Sequence, residues 1–214
     1  MSSEPLESIN CKVVLLGETG VGKTCLIERY TKSEFHDNFA PTLGGTFIEK
    51  EVAYKSYNKT IKFQIWDTAG QEKYRALTKM FYKDAAAAVI VYDITREDSF
   101  KEATSYWAQE IKDNAPKNIV LGVAANKSDL FDQEAVDEGK GREFAKEIGA
   151  IFKLTSAKNQ SGVEDLFISI ANKLEDPQWE ANKEEERKNK RQTVKVVKKT
   201  EDSNKEIKQG GKCC

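Results

Sequence analysis

Short apolar runs alternate along the chain with stretches whose apolar residues recur every three or four positions. "CKVVLLG" reads as a buried strand, and after Gly22 the side chains of Leu26, Ile27 and Tyr30 share one helical face. "TFIEKEVAY" and "TIKFQIWD" are strand-like and flank "KSYNK", which predicts a hairpin with Asn58 in its turn. "AAVIVYD" and "NIVLGVAAN" are two further buried strands, and between them Phe100, Ala103, Trp107 and Ile111 form a helical stripe. "IFKLTS" is a short last strand, followed by a helix carrying Val163, Leu166, Phe167, Ile170 and Leu174. Buried strands alternating with helices imply right-handed βαβ units. The expected fold is α/β: a mostly parallel six-stranded sheet with the hairpin strand as its antiparallel edge and helices on both faces.

This patterning occupies residues 10–176 and stops there. Residues 1–9 are polar and acidic and are expected to be flexible, without the positive start or apolar stretch of a secretory signal. From Pro177 to Cys214 the chain carries eleven Lys or Arg against seven Asp or Glu, so a basic, disordered tail is expected on an acidic body. The net charge of −1 argues against a nucleic-acid binder, and "AAAAVIVY" is far too short to cross a bilayer. No spacing among the four cysteines fits a zinc site or a disulfide framework, so Cys11 and Cys25 read as small core residues in a reducing, cytosolic compartment.

The chemistry concentrates at strand ends. "GETGVGKT", Gly17 to Thr24, matches G-x-x-x-x-G-K-[ST] between a strand and a helix. Glycines let backbone N–H groups close around a polyphosphate, and the helix N-terminus adds its positive end. The cradle takes in Thr19, Gly20, Gly22, Lys23, Thr24 and Cys25; Lys23 is placed to reach the β- and γ-phosphates and Thr24 to bind Mg²⁺. In "WDTAGQ", Asp67 can hold the Mg²⁺ through water, the Gly70 N–H can touch the γ-phosphate, and Gln71 can orient an attacking water. "NKSD" selects the base. The Asp129 carboxylate can accept from the N1–H and exocyclic amine of guanine, the Lys127 stem can lie over the ring, and Asn126 can tie this loop to the phosphate loop. In "TSAK", N–H groups near Ser156 and Ala157 can read the guanine oxygen, with Lys158 beside the base.

These motifs in this order resemble the Ras superfamily of small GTPases and, within it, the Rab family, over about residues 10–175. "TLGGTF", "IKFQIWDTAGQEKYRALT", "FYKDA" and "IVYDIT" are the Rab-type features. The resemblance implies a P-loop GTPase fold, a monomer that cycles between GTP and GDP, and catalysis by Gln71, Lys23 and Thr42. Thr42 would be the switch threonine that binds Mg²⁺ only in the GTP state. Phe35 would stack edge-on to guanine, and the backbone at His36 and Asp37 would pass the ribose. Phe47, Trp66 and Phe81 would face effectors. It further implies a guanine-nucleotide exchange factor, a GTPase-activating protein, and a GDP-dissociation inhibitor or prenylation escort. Many Rabs read I-G-V-D-F where this chain has "LGGTF", and Tyr-Tyr-Arg-Gly-Ala where it has "FYKDA". "EFAKEIGAIFKLTSAKN" and the "LGGTF" variation resemble the endocytic, early-endosome subgroup, which implies vesicle traffic at an endosomal membrane in exchange with cytosol.

Terminal Cys213 and Cys214 resemble the Rab double geranylgeranylation signal rather than a C-a-a-X box, since the fourth residue from the end is Gly211. Two other readings remain: a P-loop kinase or ATPase, which the guanine-reading loops disfavour, and a nucleotide-locked binding module with negligible turnover. No cis arginine is evident near the γ-phosphate, Arg29 and Arg75 reading as surface.

Membrane attachment should need both terminal cysteines, because one lipid chain binds bilayers only marginally and the tail's basic groups are diluted by acidic ones. A coil of this length gives a tether of roughly 30–35 Å. Cys213→Ser or Cys214→Ser alone should leave weak or mislocalised binding, and the double variant should be cytosolic yet still bind GTP. A double variant that stayed with membranes on cell fractionation would refute the prenylation reading.

Overall fold

The computed structural model describes residues 7–36, 42, 45–54, 59–68 and 80–176. The Asn58 turn, Asp37, Gly70, Gln71, Arg75 and the tail with Cys213 and Cys214 lie outside the described residues.

Strand β1 (Glu7–Leu16) leads through the phosphate-loop motif into helix α1 (Lys23–Lys32). Strands β2 (Gly45–Tyr54) and β3 (Lys59–Thr68) follow, then β4 (Ala87–Asp93). Helix α2 covers residues 97–114, as α-helical Glu97–Glu102, a π segment Ala103–Trp107 and α-helical Ala108–Asn114. Strand β5 (Val120–Asn126), a 3₁₀ segment (Ser128–Gln133), helix α3 (Glu138–Glu147), strand β6 (Ile151–Leu154) and helix α4 (Val163–Glu175) complete the order.

The sheet has the six expected strands, in the order β2-β3-β1-β4-β5-β6. All pairs are parallel except β2–β3, whose antiparallel register sets Phe47 opposite Trp66. Period-2 alternation divides the core. Val13 and Leu15 face α1 and α4, where Leu26, Ile27, Tyr30, Leu166, Phe167 and Ile170 pack; Val14 and Leu16 face α2 and α3, with Trp107, Ile111 and Phe144. Tyr30 stacks on Phe167 at 3.8 Å between ring centroids, which seats α1 against α4. Among the described residues no helix is long and apolar enough to cross a membrane.

Several boundaries differ from the sequence expectation. Residues 7–9, assigned to a flexible N-terminus, belong to β1, because their backbone finds a parallel partner from Lys59 to Ile61. Strand β5 starts at Val120, since Ile119 N–H turns back to Pro116 O, 3.1 Å. The α2 stripe contains a π turn in which Ala108 N–H reaches back to Ala103 O. There the Ser105 and Thr104 hydroxyls donate to Lys101 O, 2.7 and 3.1 Å, competing with the α ladder.

One close approach constrains α3. A Cβ on Gly141 would lie 2.2 Å from Tyr92 Oη and 2.8 Å from Phe152 Cε2. Tyr92 is fully buried and cannot swing aside. Gly141→Ala should therefore lower stability by about 1–3 kcal/mol through overpacking. Urea unfolding checks this, and an unchanged midpoint would show that α3 can shift freely.

Candidate functional site

In a parallel sheet whose strand order reverses beside β1, a crevice opens at the carboxyl ends of the strands. The candidate residues gather there. Gly17 follows β1, Asp67 is the penultimate residue of β3, Asp93 and Asn126 end β4 and β5, and Thr155 and Ser156 follow β6.

The phosphate loop turns only because of its glycines. A Cβ on Gly17 (φ 145°) would meet Val91 O at 2.2 Å, and one on Gly22 (φ 94°) would meet Asn126 Nδ2 at 2.5 Å. Gly20 also has positive φ, and Thr19 stands exposed at the tip. Lys23, the first residue of α1, is buried and donates to Gly17 O at 2.8 Å and Glu18 O at 2.9 Å, so its ammonium lies across the loop's mouth. Burial lowers its pKa to about 8, against smaller opposing pulls from Asp67 and Glu18.

Beside Lys23 three oxygens converge. Thr24 Oγ1 lies 2.8 Å from Thr42 Oγ1 and donates to Asp67 Oδ2 at 2.5 Å, while Thr42 Oγ1 donates to the same oxygen at 3.4 Å. Asp67 is 2% exposed; burial raises its pKa, countered in part by the Thr24 hydroxyl and Lys23. Its Oδ1 is buried with no hydrogen-bond partner among the described residues. Two hydroxyls and a carboxylate with an unsatisfied oxygen form a hard donor set that fits Mg²⁺.

The base-reading loops also assemble. Asn126 Nδ2 donates to Val21 O at 2.8 Å, making the expected tie between loops. Asp129 Oδ1 accepts from the Ser156 hydroxyl at 2.5 Å, which fixes the carboxylate's orientation. Lys127, in the left-handed region (φ 65°), pairs its Nζ with buried Asp93 Oδ2 at 2.6 Å, holding its stem in place. Ser156 enters differently from expectation. Its N–H donates to Ser161 O at 2.9 Å and closes the loop, leaving the N–H groups of Ala157 and Lys158 without a backbone acceptor among the described residues. Phe35 packs at the edge of the core, and His36 is exposed, with Glu34 at 3.8 Å. Cys25 is half-buried rather than a core residue; burial pushes its thiol up to about 11 and that of Cys11 to about 12.

Phe47, Trp66 and Phe81 form one contiguous run, with centroids 5.1 and 5.4 Å apart. Gly45 makes room for it, since a Cβ there would stand 2.6 Å from Phe81 Cζ. Phe47 is 44% exposed, and Lys12 Nζ lies 5.4 Å from the Trp66 ring.

Two arginines were missed. Arg96 Nη1 donates to Thr19 O at 3.0 Å while Nε and Nη2 grip Asp98 at 3.2 and 2.8 Å, which places a cation on the phosphate loop. Arg29, read as surface, instead donates to carbonyls of the loop after β6. Neither role is visible in local spacing, because the loop carbonyls they hold lie 77 and 128 or 129 positions away.

A family model described as Ras family matches residues 12–176. The human "Ras-related protein Rab-22A" is 46% identical over 171 residues, covering 80% of this chain and 86% of the relative. The mouse "Ras-related protein Rab-31" is 46% identical over 163 residues, covering 76% and 82%. The tobacco (Nicotiana tabacum) "Ras-related protein Rab5" is 42% identical over 174 residues, covering 81% and 86%.

The Lys23 ammonium gives a pH signature. Phosphate anions placed beside it would raise its pKa above the ligand-free value of about 8, so binding would take up a proton once the pH passes that value. GDP affinity should therefore fall as pH rises from 8 to 9. Calorimetry at pH 8.5 in two buffers of different ionisation enthalpy should reveal net proton uptake; heats independent of buffer would exclude it.

Proposed function

The chain belongs to the Ras family and, within it, to the Rab group; it is a small GTPase that binds and hydrolyses GTP as a molecular switch, and we propose that the switch serves vesicle traffic at an endosomal membrane. The observation that carries the site assignment is the convergence of Thr24, Thr42 and Asp67 next to Lys23. Magnesium, when bound with the nucleotide, neutralises charge on the β- and γ-phosphates. Thr24 and Thr42 would hold it through their hydroxyls and Asp67 through water. Lys23 donates to the phosphates, the glycine-loop amides enclose them, and Gln71 orients the attacking water.

Base choice rests on Asp129, oriented by Ser156, with Lys127 and Phe35 flanking the ring. Hydrogen bonds buried in such a pocket discriminate strongly, because an analogue that lacks a partner leaves groups unpaired. The Ras-family match gives the non-hydrolysing alternative no support.

Hydrolysis is slow without help in this reading. Arg96 is held by Asp98 and the Thr19 carbonyl, so the charge that stabilises the transition state comes from an activating protein, worth about 10³ to 10⁵ in rate. An exchange factor reloads GTP, effectors read Phe47, Trp66 and Phe81, and a GDP-dissociation inhibitor or escort carries the prenylated form between membrane and cytosol.

Thr42 can complete the magnesium site only when a γ-phosphate is present, so loss of that phosphate releases the segment around it, an order-to-disorder switch. Backbone hydrogen exchange should be faster at residues 36–47 and 69–82 with GDP than with a GTP analogue. Thr42→Ala should abolish the difference in the first segment. Equal protection in both nucleotide states of the wild type would mean that the protein is not a switch.

A further inference from the structure

Helix α1 starts at the phosphate cradle and ends under the base-reading loops, and Arg29 in its last turn joins three segments there. The guanidinium donates from Nε to Ala157 O at 2.6 Å, from Nη2 to Lys158 O at 3.1 Å and from Nη1 to Ser33 O at 2.7 Å. Its Cζ lies 5.9 Å from the centroid of the Phe35 ring. The backbone closes the same clasp from the other side, because Ser33, in the left-handed region at φ 61°, donates its N–H to Arg29 O at 3.1 Å. One side chain thus fixes both the turn that delivers Phe35 and the loop that follows β6.

The bonds to Ala157 and Lys158 also set amide directions. In a trans peptide the C=O and the following N–H point opposite ways, and no cis peptide occurs among the described residues. With Ala157 O held by Arg29, the Lys158 N–H is turned away from α1. That N–H and the Ala157 N–H are the ones left to read the base, since the Ser156 N–H closes on Ser161 O. The planar fork of an arginine can hold two adjacent carbonyls and a third at once; a lysine ammonium cannot copy that geometry.

We propose that Arg29 is a positioning residue that sets both the lifetime of bound guanine nucleotide and the discrimination at the 6-position of the base, by clasping the Ala157–Lys158 loop to the turn that carries Phe35. This rests on the reading of that loop as the guanine-oxygen reader. In this proposal Arg29 acts through the amides and the ring it holds.

The test compares full-length, magnesium-loaded wild type, Arg29→Met and Arg29→Lys. Dissociation rates are measured for fluorescently labelled GDP and for the labelled diphosphate of 6-thioguanosine, which keeps the N1–H but replaces the 6-oxygen with a weakly accepting sulfur. Methionine keeps an unbranched stem without donors, and charge-assisted bonds of this kind predict GDP leaving roughly tenfold to a hundredfold faster from Arg29→Met. The ratio of the two nucleotides' rates should shrink with it, and Arg29→Lys should fall between. A merely structural role would speed both nucleotides alike and leave the ratio at its wild-type value, which would overturn the inference, as would an unchanged GDP lifetime. Should Arg29→Met fail to fold, Arg29→Lys carries the test alone: a shorter lifetime with a narrowed ratio supports it, and wild-type values refute it. A wild type that held both nucleotides equally would instead overturn the base-reading assignment, and the inference with it.

Discussion

The amide of Asn126 is the point on which the two halves of the site depend. It is 1% exposed at the end of β5, and its Nδ2 donates to Val21 O in the phosphate loop at 2.8 Å. Its Oδ1 accepts from the Thr155 hydroxyl at 3.3 Å, and its backbone carbonyl accepts from Ile94 N–H at 3.1 Å. One residue therefore joins the loops that follow β1, β4, β5 and β6. A buried amide left unpaired costs about 1–3 kcal/mol, so the need to satisfy it holds the loops after β1 and β6 to the end of β5, and the main-chain carbonyl adds the loop after β4. The requirement extends to Gly22, where any Cβ would come within 2.5 Å of Asn126 Nδ2. The glycine is needed for the neighbour as much as for its own backbone angle.

From this pivot the division of labour follows. On one side Lys23, Thr24, Thr42 and Asp67 present a cation, two hydroxyls and a carboxylate, the chemistry of a metal-bound polyphosphate. On the other, Asp93 and Asp129 are both carboxylates at loop starts yet serve different ends. Asp93 Oδ1 accepts from Thr95 N–H at 2.9 Å and its hydroxyl at 2.7 Å, leaving Oδ2 for Lys127. It is a support. Asp129 has one oxygen oriented by Ser156 and stands outside the core, where it can meet a base.

The order of strands, the antiparallel edge and the helical faces were legible because each rests on local periodicity. Val13 to Leu16 and Ala87 to Tyr92 are apolar throughout because both faces of the sheet are covered. The motifs were legible for a related reason: a glycine loop, a strand-end Asp and "NKSD" each encode their geometry within a few residues. Arg29, Arg96 and the Asp93–Lys127 pair were not, because their meaning comes from partners far away in the chain. The π turn at Ala103–Trp107 was hidden for a different reason. Ala103, Trp107 and Ile111 keep an α-like spacing and all remain buried, so hydrophobic pattern alone cannot register the extra residue per turn.

The same burial that builds the site makes it depend on its ligand. Desolvation lowers the pKa of Lys23 and raises that of Asp67, so each charged form is disfavoured by the protein around it. The two are coupled only through space; Lys23 donates to carbonyls, and Asp67 accepts from hydroxyls. A polyphosphate gives the ammonium an anionic partner, and a divalent cation gives the carboxylate a positive one. Binding therefore relieves both penalties, and ligand bound only to the folded chain adds to stability by mass action. Thr42 approaches the same site from outside the sheet through a single hydroxyl. Lys23 and Thr24 belong to α1, whose inner face is packed through Leu26, Ile27 and Tyr30. The contacts of Lys23 and Thr24 are thus fixed by the core, whereas that of Thr42 rests on one side-chain oxygen.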